Sequence, residues 1–540
     1  MTHFDWTAGY PSRRLPVFGR NAVSTSHPLA AQAGLAMMWK GGNAVDAAIS
    51  CAAAMTVLEP CNNGLGSDAF CILWDGTRLH GLNASGRAPA GWSPDYFRTR
   101  YGAEAKRPPQ RGWDAVTVPG AVGGWAALSA RFGRLAFADL LAPAIEIAER
   151  GYAVPPVDAV KWEMAAAVPD LARQEGFAQA FLPRGRAPRA GELFRMPGAA
   201  RALRAIAETR GEAFYRGEIA AALAERAKAA GAALDAADMA AYAPEWVEPV
   251  AQSYRGYTLH ELPPSGQGLT ALMALGILSR FDLGALDPDG PDAHHLMIEA
   301  VKLAFADVYH QVADPAHMRV PAEALLDPAY LDTRAGLIDM GRAQPFAPGN
   351  PVRGGTIYLS AADASGMMVS FIQSNFNGFG SGVVLPEWGL SLQNRGHGFS
   401  LDPESPNVVG PRKRPFHTII PAFLTRDGAP VMSFGVVGAN MQPQGHVQTL
   451  VRMLDFGQNP QAACDAPRWR FNAGLALDIE AAMPQATRAA LAARGHRLTV
   501  NADPYHDFGA GQFIWRMGDP AAEGYAAVSD PRRDGQAVAF

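Results

Sequence analysis

The chain has 540 residues, of which 48% are hydrophobic and 18% are charged, and its formal net charge is −4. This composition is typical of a folded globular protein and excludes a disordered, collagenous or coiled-coil chain. The densest basic cluster, Arg412-Lys413-Arg414, is too short for a phosphate-backbone binder, so we expect no nucleic-acid partner.

The N-terminal segment carries Asp5 early and shows no apolar stretch before a small-residue cleavage site. We therefore expect no secretory signal and a cytoplasmic protein. The longest nearly uncharged segment, residues 47–58, is too short to span a bilayer and suits a buried helix, so no membrane segment is predicted. The four cysteines form neither a CxxC pair nor a dense disulfide framework, and we expect reduced thiols in the core: Cys51, Cys61, Cys71 and Cys464.

Helices dominate the first part of the chain and strands the last part. Two Ala-rich segments within residues 28–60 predict a pair of packed helices, and alternating residues with Gly-containing turns predict strands over residues 61–89. Amphipathic segments predict a helical layer over residues 115–242. From Thr356 onward most segments read as strands, so we expect an α+β fold in which helices cover two antiparallel sheets, in one compact unit.

Several common catalytic motifs are missing from the sequence. There is no G-x-x-x-x-G-K-[ST] loop and no G-x-S-x-G elbow, so the sequence does not support a P-loop nucleotide hydrolase or a serine hydrolase of the α/β class. His295 and Glu299 lie four residues apart on a predicted helix and could place two ligands on one metal. No HExxH or CxxC completes a set, so we predict neither a metal nor a cofactor and keep a metal-dependent hydrolase as an alternative.

Gly354-Gly355-Thr356 stands where the helical part meets the strand-rich part. Taken alone, this triplet indicates only a turn that enters a strand. Segments that match in order and spacing, however, make the chain similar to the γ-glutamyltransferase (γ-glutamyltranspeptidase) family of N-terminal-nucleophile hydrolases. The matching segments are residues 26–70, 116–125, 140–154, 262–275, 294–309, 406–415, 454–469 and 528–533.

The resemblance implies an αββα sandwich and a precursor that cuts itself between Gly355 and Thr356. The products would be a large subunit, residues 1–355, and a small subunit, residues 356–540, that remain together as a heterodimer in one globular unit. The chemistry is reasonable, because the freed α-amine of Thr356 has a reference pKa of about 7.7–8.0 and can act as base for its own hydroxyl.

The resemblance also assigns roles to other residues. Ser374 corresponds to a hydroxyl that orients the amine of the nucleophile. Gly438 and Ala439, within GVVGAN, correspond to the oxyanion-hole turn, where the family usually has Gly-Gly. Arg87, within NASGRAP, resembles the arginine that binds a substrate carboxylate.

The sequence departs from the family pattern at the positions that hold the γ-glutamyl group. In ungapped register, Phe376, Arg395 and Gly398 replace the Asn, Gln and Asp that bind the α-ammonium. His417 and Thr418 replace two serines that help to bind the α-carboxylate, and His417 could either donate to a carboxylate or pack in the core.

Because no acidic residue then faces the α-amino group, we expect an acyl donor that has a carboxylate but no free α-ammonium, such as a glutaryl-type or oxamate-like amide. The expected enzyme is an autoprocessing amidase that passes an acyl group from Thr356 to water or to an amine. A hydrolase of small amides such as oxamate and a non-cleaving carboxylate-binding homologue are the alternatives. The only expected partners are the small-molecule amide and the protein's own cleaved halves, with further dimerisation left open.

Overall fold

The computed structural model describes residues 13–346, 355–502 and 508–540. The strands in chain order are β1 Val17–Gly19, β2 Ala22–Thr25, β3 Asp68–Trp74, β4 Leu79–Ala84, β5 Tyr152–Ala153, β6 Leu193–Phe194, β7 Glu245–Val247, β8 Val250–Tyr254, β9 Tyr257–Glu261, β10 Gly355–Ala362, β11 Met368–Phe376, β12 Val384–Leu385, β13 Leu390–Ser391, β14 Ala422–Arg426, β15 Ala429–Val436, β16 Trp469–Ala473, β17 Ala476–Glu480, β18 Arg497–Asn501, β19 Gly511–Arg516, β20 Tyr525–Ser529 and β21 Gln536–Ala539.

The α-helices are α1 Pro28–Trp39, α2 Ala44–Leu58, α3 Pro94–Tyr101, α4 Ala121–Phe132, α5 Phe137–Arg150, α6 Pro156–Ala166, α7 Pro169–Ala172, α8 Phe177–Phe181, α9 Pro197–Thr209, α10 Glu212–Tyr215, α11 Glu218–Ala229, α12 Ala236–Ala240, α13 Gly268–Leu278, α14 Pro291–Gln311, α15 Ala322–Leu325, α16 Pro328–Ala335, α17 Met441–Leu454, α18 Pro460–Asp465 and α19 Gln485–Ala493.

Two seven-stranded antiparallel sheets form the centre of the molecule. The first sheet has the order β1-β20-β19-β15-β14-β9-β8, and the second has the order β21-β2-β10-β11-β3-β4-β7. The sheets pack face to face through apolar side chains such as Phe70, Tyr358 and Ile514. The expected α+β architecture, with two antiparallel sheets between helical layers, is therefore confirmed.

Each sheet is covered on its outer face by helices. Helices α1, α2, α4, α5 and α9 build one core against the second sheet, and α13, α14 and α17 build the other core against the first sheet. Helix α2 is buried along its whole length, as its nearly uncharged sequence predicts, and Asn43 and Asp46 form a capping box at its N-terminus. The four cysteines are free and buried, as expected. Among the described helices, none is both long enough and apolar enough to cross a membrane.

Each sheet contains strands from before and from after residue 356. β10, which carries Thr356, lies between β2 and β11 near the middle of the second sheet. Gly355 pairs with Phe376 across the β10–β11 ladder, and the register shifts between Gly355 and Ile357. The potential nucleophile thus lies where a central strand begins, against the face of a rigid sheet.

Candidate active site

Thr356 and Ser374 lie side by side on neighbouring strands. Both side chains are buried, and Thr356 Oγ1 donates to Ser374 Oγ at 3.1 Å. Ser374 Oγ also accepts the backbone N–H of Phe376 at 2.8 Å, which orients the hydroxyl. Thr356 and Ser374 therefore lie on the two strands of one hairpin, and the structure brings the two hydroxyls together.

The turn at residues 437–440 follows β15, which packs against β10. Ser360 Oγ donates to the carbonyl of Ser433, and a Cβ built on Gly435 would overlap the Tyr358 ring. These two contacts pack β15 of the first sheet against β10 of the second sheet, and the turn directly follows β15. Only a glycine allows the sheets to approach this closely at residue 435.

Gly438 and Ala439 adopt left-handed conformations in this turn, with φ of +121° and +50°. Within the described part of the chain, no hydrogen bond from either backbone N–H is found. Gln267 Nε2 fixes the turn from below, because it donates both to the carbonyl of Ala439 at 2.8 Å and to the carbonyl of Thr418 at 2.5 Å. Two available N–H donors in a fixed turn have the chemistry of an oxyanion hole.

Arg395 lies fully buried beside these elements, and three contacts hold its guanidinium. Nε lies 3.5 Å from Asp68 Oδ2, and Nη1 donates to Thr418 Oγ1 at 3.0 Å. The ring of Phe376 covers the guanidinium face, with its centroid 4.4 Å from Cζ of Arg395. Neither Nε, at its ion-pair distance from Asp68, nor Nη2 has a hydrogen-bond partner among the described residues. Burial lowers the pKa of Arg395 to about 10, against the opposing charge of Asp68, so the side chain stays cationic at neutral pH.

Asp68 is a site residue that the sequence reasoning missed. It begins β3 and pairs directly with Ser374, so the side chains of Thr356, Ser374 and Asp68 follow one another across three adjacent strands. Burial raises the pKa of Asp68 to about 7, while the charge of Arg395 and the N–H of Gly86 oppose the rise. The Gly66-Ser67-Asp68 sequence after a Gly-rich turn is the signal that could have identified it, but Asp68 precedes Thr356 by almost 300 residues and meets Ser374 only through strand pairing.

Asp68 thus places an acidic residue beside Arg395 that the sequence comparison did not identify. It also decides between the two readings of His417. Nδ1 of His417 accepts the N–H of Ile419, and burial, together with Arg395, holds the imidazole pKa well below its usual range. The neutral ring therefore donates from Nε2 to Asp68 Oδ2 at 3.2 Å. His417 binds a carboxylate of the protein itself, and Gly398 lies on the cavity wall described below.

Among the described residues, no hydrogen bond or ion pair joins Arg87 to Thr356. Its guanidinium is 42% exposed and pairs with Glu245 at 2.8 Å and with Asp314 at 3.6 Å. It lines a separate cavity of about 390 Å³ together with Arg412 and Arg414. The guanidinium of Arg87 is thus paired with two acidic side chains of the protein, and its role as carboxylate anchor stays a prediction.

A cavity of about 200 Å³ borders the site. Phe376, Thr418 and Asn440 contribute to its wall and connect it to Ser374, Arg395 and the oxyanion turn. Its other lining residues are Arg107, Tyr309, Val312, Gly398, Phe399, Ser400, Ser405, Asn407 and Phe416. The cavity is large enough for a small acyl chain.

One group of residues in the described part of the chain could hold a metal ion: His295, Glu299 and His496. His295 and His496 already share a hydrogen bond of 2.8 Å, and Lys302 Nζ donates to Glu299 Oε1 at 2.5 Å. The lysine ammonium thus already supplies the positive charge that the carboxylate needs. The group lies in the helical layer outside the first sheet, and no contact among the described residues joins it to Thr356.

Comparisons with known proteins agree with this geometry. A family model described as gamma-glutamyltranspeptidase matches residues 30–540. The chain is 35% identical to the glutathione hydrolase-like YwrD proenzyme of Bacillus subtilis over 96% of this chain and 98% of that protein. It is also 35% identical to the oxamate amidohydrolase proenzyme of Klebsiella pneumoniae over 95% of this chain and 97% of that protein.

A solved structure, cephalosporin acylase from Bacillus halodurans, superposes with a TM-score of 0.94 at 47% identity and covers 100% of this chain and 99% of that one. The chain therefore belongs to the γ-glutamyltranspeptidase family and is an enzyme, an amidase with the fold of the N-terminal-nucleophile hydrolases.

Proposed function

We propose that this protein is a self-cleaving amidase that acts on amides of carboxylate-bearing acyl groups, with Thr356 as nucleophile. The observation that carries the proposal is the hydrogen bond between Thr356 Oγ1 and Ser374 Oγ at the start of a central strand. The proenzyme names of two relatives support self-cleavage.

Self-cleavage begins when Thr356 Oγ attacks the carbonyl carbon of Gly355. The C–N bond breaks, the Thr356 nitrogen takes the hydroxyl proton and becomes an amine, and Gly355 is left as an ester on Oγ. Water then hydrolyses the ester, which gives a carboxylate on Gly355 and restores the threonine hydroxyl. The α-amine formed in this way is the base for the second reaction.

In the second reaction Oγ attacks the amide carbonyl of the substrate. The α-amine takes the hydroxyl proton and passes it to the leaving nitrogen, and the N–H groups of Gly438 and Ala439 stabilise the oxyanion. The acyl ester on Thr356 then passes to water or to an amine, which regenerates the free hydroxyl. Ser374 holds Oγ in position throughout.

Arg395 is the group that we assign to the substrate carboxylate. Nη2 is free of hydrogen bonds among the described residues, and a guanidinium binds carboxylates well. Phe376 both lines the cavity and packs on the guanidinium face, so a substrate carboxylate would reach Nη2 past the edge of this ring. Relatives named for oxamate and for cephalosporin support an acyl group of this kind.

The first test is intact mass spectrometry of the purified wild type beside Thr356→Ala. We expect two wild-type fragments that meet between Gly355 and Thr356, an uncut Thr356→Ala chain, and normal cleavage of Thr425→Ala, a strand threonine of the other sheet. A brief reaction with glutaryl-p-nitroanilide should add one glutaryl group to the fragment that begins with Thr356. An uncut wild type that is stable for days would overturn the proposal and favour a non-cleaving carboxylate-binding protein.

A further inference from the structure

Asp68 occupies a position that a substrate group cannot easily reach. Its side chain is fully buried beneath Arg395, and it does not line the cavity beside Phe376. Three groups of the protein surround its carboxylate: Arg395 Nε and His417 Nε2 at Oδ2, and the N–H of Gly86 at Oδ1. A buried carboxylate of this kind acts on a reaction through its neighbours.

The residues around Asp68 indicate that it controls the orientation of the Arg395 guanidinium. The guanidinium of Arg395 has two edges held by the protein, one by Asp68 and one by Thr418, while its face packs on Phe376. A planar group fixed in this way can point its remaining donors in only one direction. Without Asp68, nothing among the described residues would hold the Nε side, because no other acceptor contacts it.

The second effect of Asp68 is electrostatic. An unpaired guanidinium is costly in a site this deeply buried, and the carboxylate offsets that cost. At the same time the ion pair leaves N–H donors of Arg395, above all those of Nη2, without a hydrogen-bond acceptor among the described residues, so the site accepts one further anionic group and not a cation.

We propose that Asp68 is a positioning residue that sets the selectivity of the enzyme for carboxylate-bearing acyl donors by fixing the orientation of Arg395. This inference rests on the proposed function, because it names the residue that prepares the carboxylate anchor. Asp68 touches neither the substrate nor the reacting atoms; His417 and Gly86 in turn hold Asp68.

The test compares two donors that differ only at one end: glutaryl-p-nitroanilide, which has a free carboxylate, and the corresponding ω-carboxamide, which is uncharged. For Asp68→Asn we expect KM for the glutaryl donor to rise about 10- to 100-fold, the range of one lost charge-assisted hydrogen bond. We expect kcat to change by less than about threefold and the carboxamide donor to be affected little. An equal loss with both donors, or an unchanged preference, would overturn the inference.

A double-mutant cycle with Arg395→Gln shows whether Asp68 acts through Arg395. Asp68→Asn should have no further effect on donor preference in the Arg395→Gln background; a second, independent loss of preference would contradict the positioning role. The double variant leaves no unpaired buried charge, so it keeps the test valid even if Asp68→Asn alone does not fold.

Glu299→Gln is the matched control, because it also neutralises a buried carboxylate that is paired with a cation, far from Thr356. It should leave the donor preference unchanged. Wild-type protein that hydrolyses neither donor would count against the proposed function itself, whereas active wild type with an unaltered Asp68→Asn would count only against this inference.

Discussion

Two arginines of this protein differ in what surrounds them, and that difference decides which one can bind a substrate. Arg395 is buried with a free donor edge, whereas Arg87 is half-exposed and already paired with Glu245 and Asp314. We therefore expect Arg395→Gln to raise KM for a glutaryl donor by about 10- to 100-fold and Arg87→Gln to change it by less than about threefold. Steady-state kinetics on cleaved protein measures both; the reverse order of effects would restore Arg87 as the anchor.

At the scale of elements, Asp530 ties the end of β20 to neighbouring segments. Its carboxylate accepts Arg468 Nη2 at 2.9 Å, the N–H of Gly511 at 2.8 Å and Arg532 Nη1 at 3.2 Å. Burial alone would raise the pKa of Asp530, but the two arginines and the backbone donors lower it below the usual range. The stabilisation is present above the unfolded pKa of about 3.9 and is lost as the pH falls through the lower folded pKa.

Asp530→Asn should therefore lower the free energy of unfolding by about 3 kcal/mol at pH 7, with a smaller difference from wild type below about pH 4. Denaturant unfolding at the two pH values measures this change. Asp427→Asn, at an exposed turn, serves as control and should stay within about 0.5 kcal/mol of wild type. If the difference in unfolding free energy between Asp530→Asn and wild type did not depend on pH, the charge of Asp530 would not be what stabilises the end of β20.

The same scale shows how far sequence reasoning reaches. Periodicity and caps locate α1, α2 and the strands after Thr356, because local pattern and burial agree there. The hydroxyl pair of Thr356 and Ser374 was predictable because both residues lie on one hairpin. The place of Asp68 in the site and the ion pairs of Arg87 could not be predicted, because both depend on strand pairings and ion pairs between residues that are distant in sequence. A resemblance supplies residue types but not the direction in which a side chain points.

At the scale of the whole molecule, both sheets combine strands from before and after residue 356, and this predicts how a cleaved protein behaves. β2 and β3, from before residue 356, flank β10 and β11, from after it, and the cores on both sides draw on both segments. Separating residues 1–355 from 356–540 would expose most of this apolar surface, which makes dissociation very costly. The two fragments should therefore co-elute in native size-exclusion chromatography at the volume of uncut Thr356→Ala and separate only in denaturant. Release of the smaller fragment in native buffer would contradict this prediction.

The pairing of Asp68 with Arg395 has a consequence for chimaeras in which chain segments are exchanged between relatives. Asp68 precedes residue 356 and Arg395 follows it, so the two charges of one binding site belong to different segments of the chain. A chimaera that joins the first segment of this protein to the second segment of a relative with an uncharged residue at position 395 would bury a lone carboxylate opposite Ser374. The preference for one acyl donor over another thus depends on both segments together. Replacing either segment alone with that of a relative should change this preference.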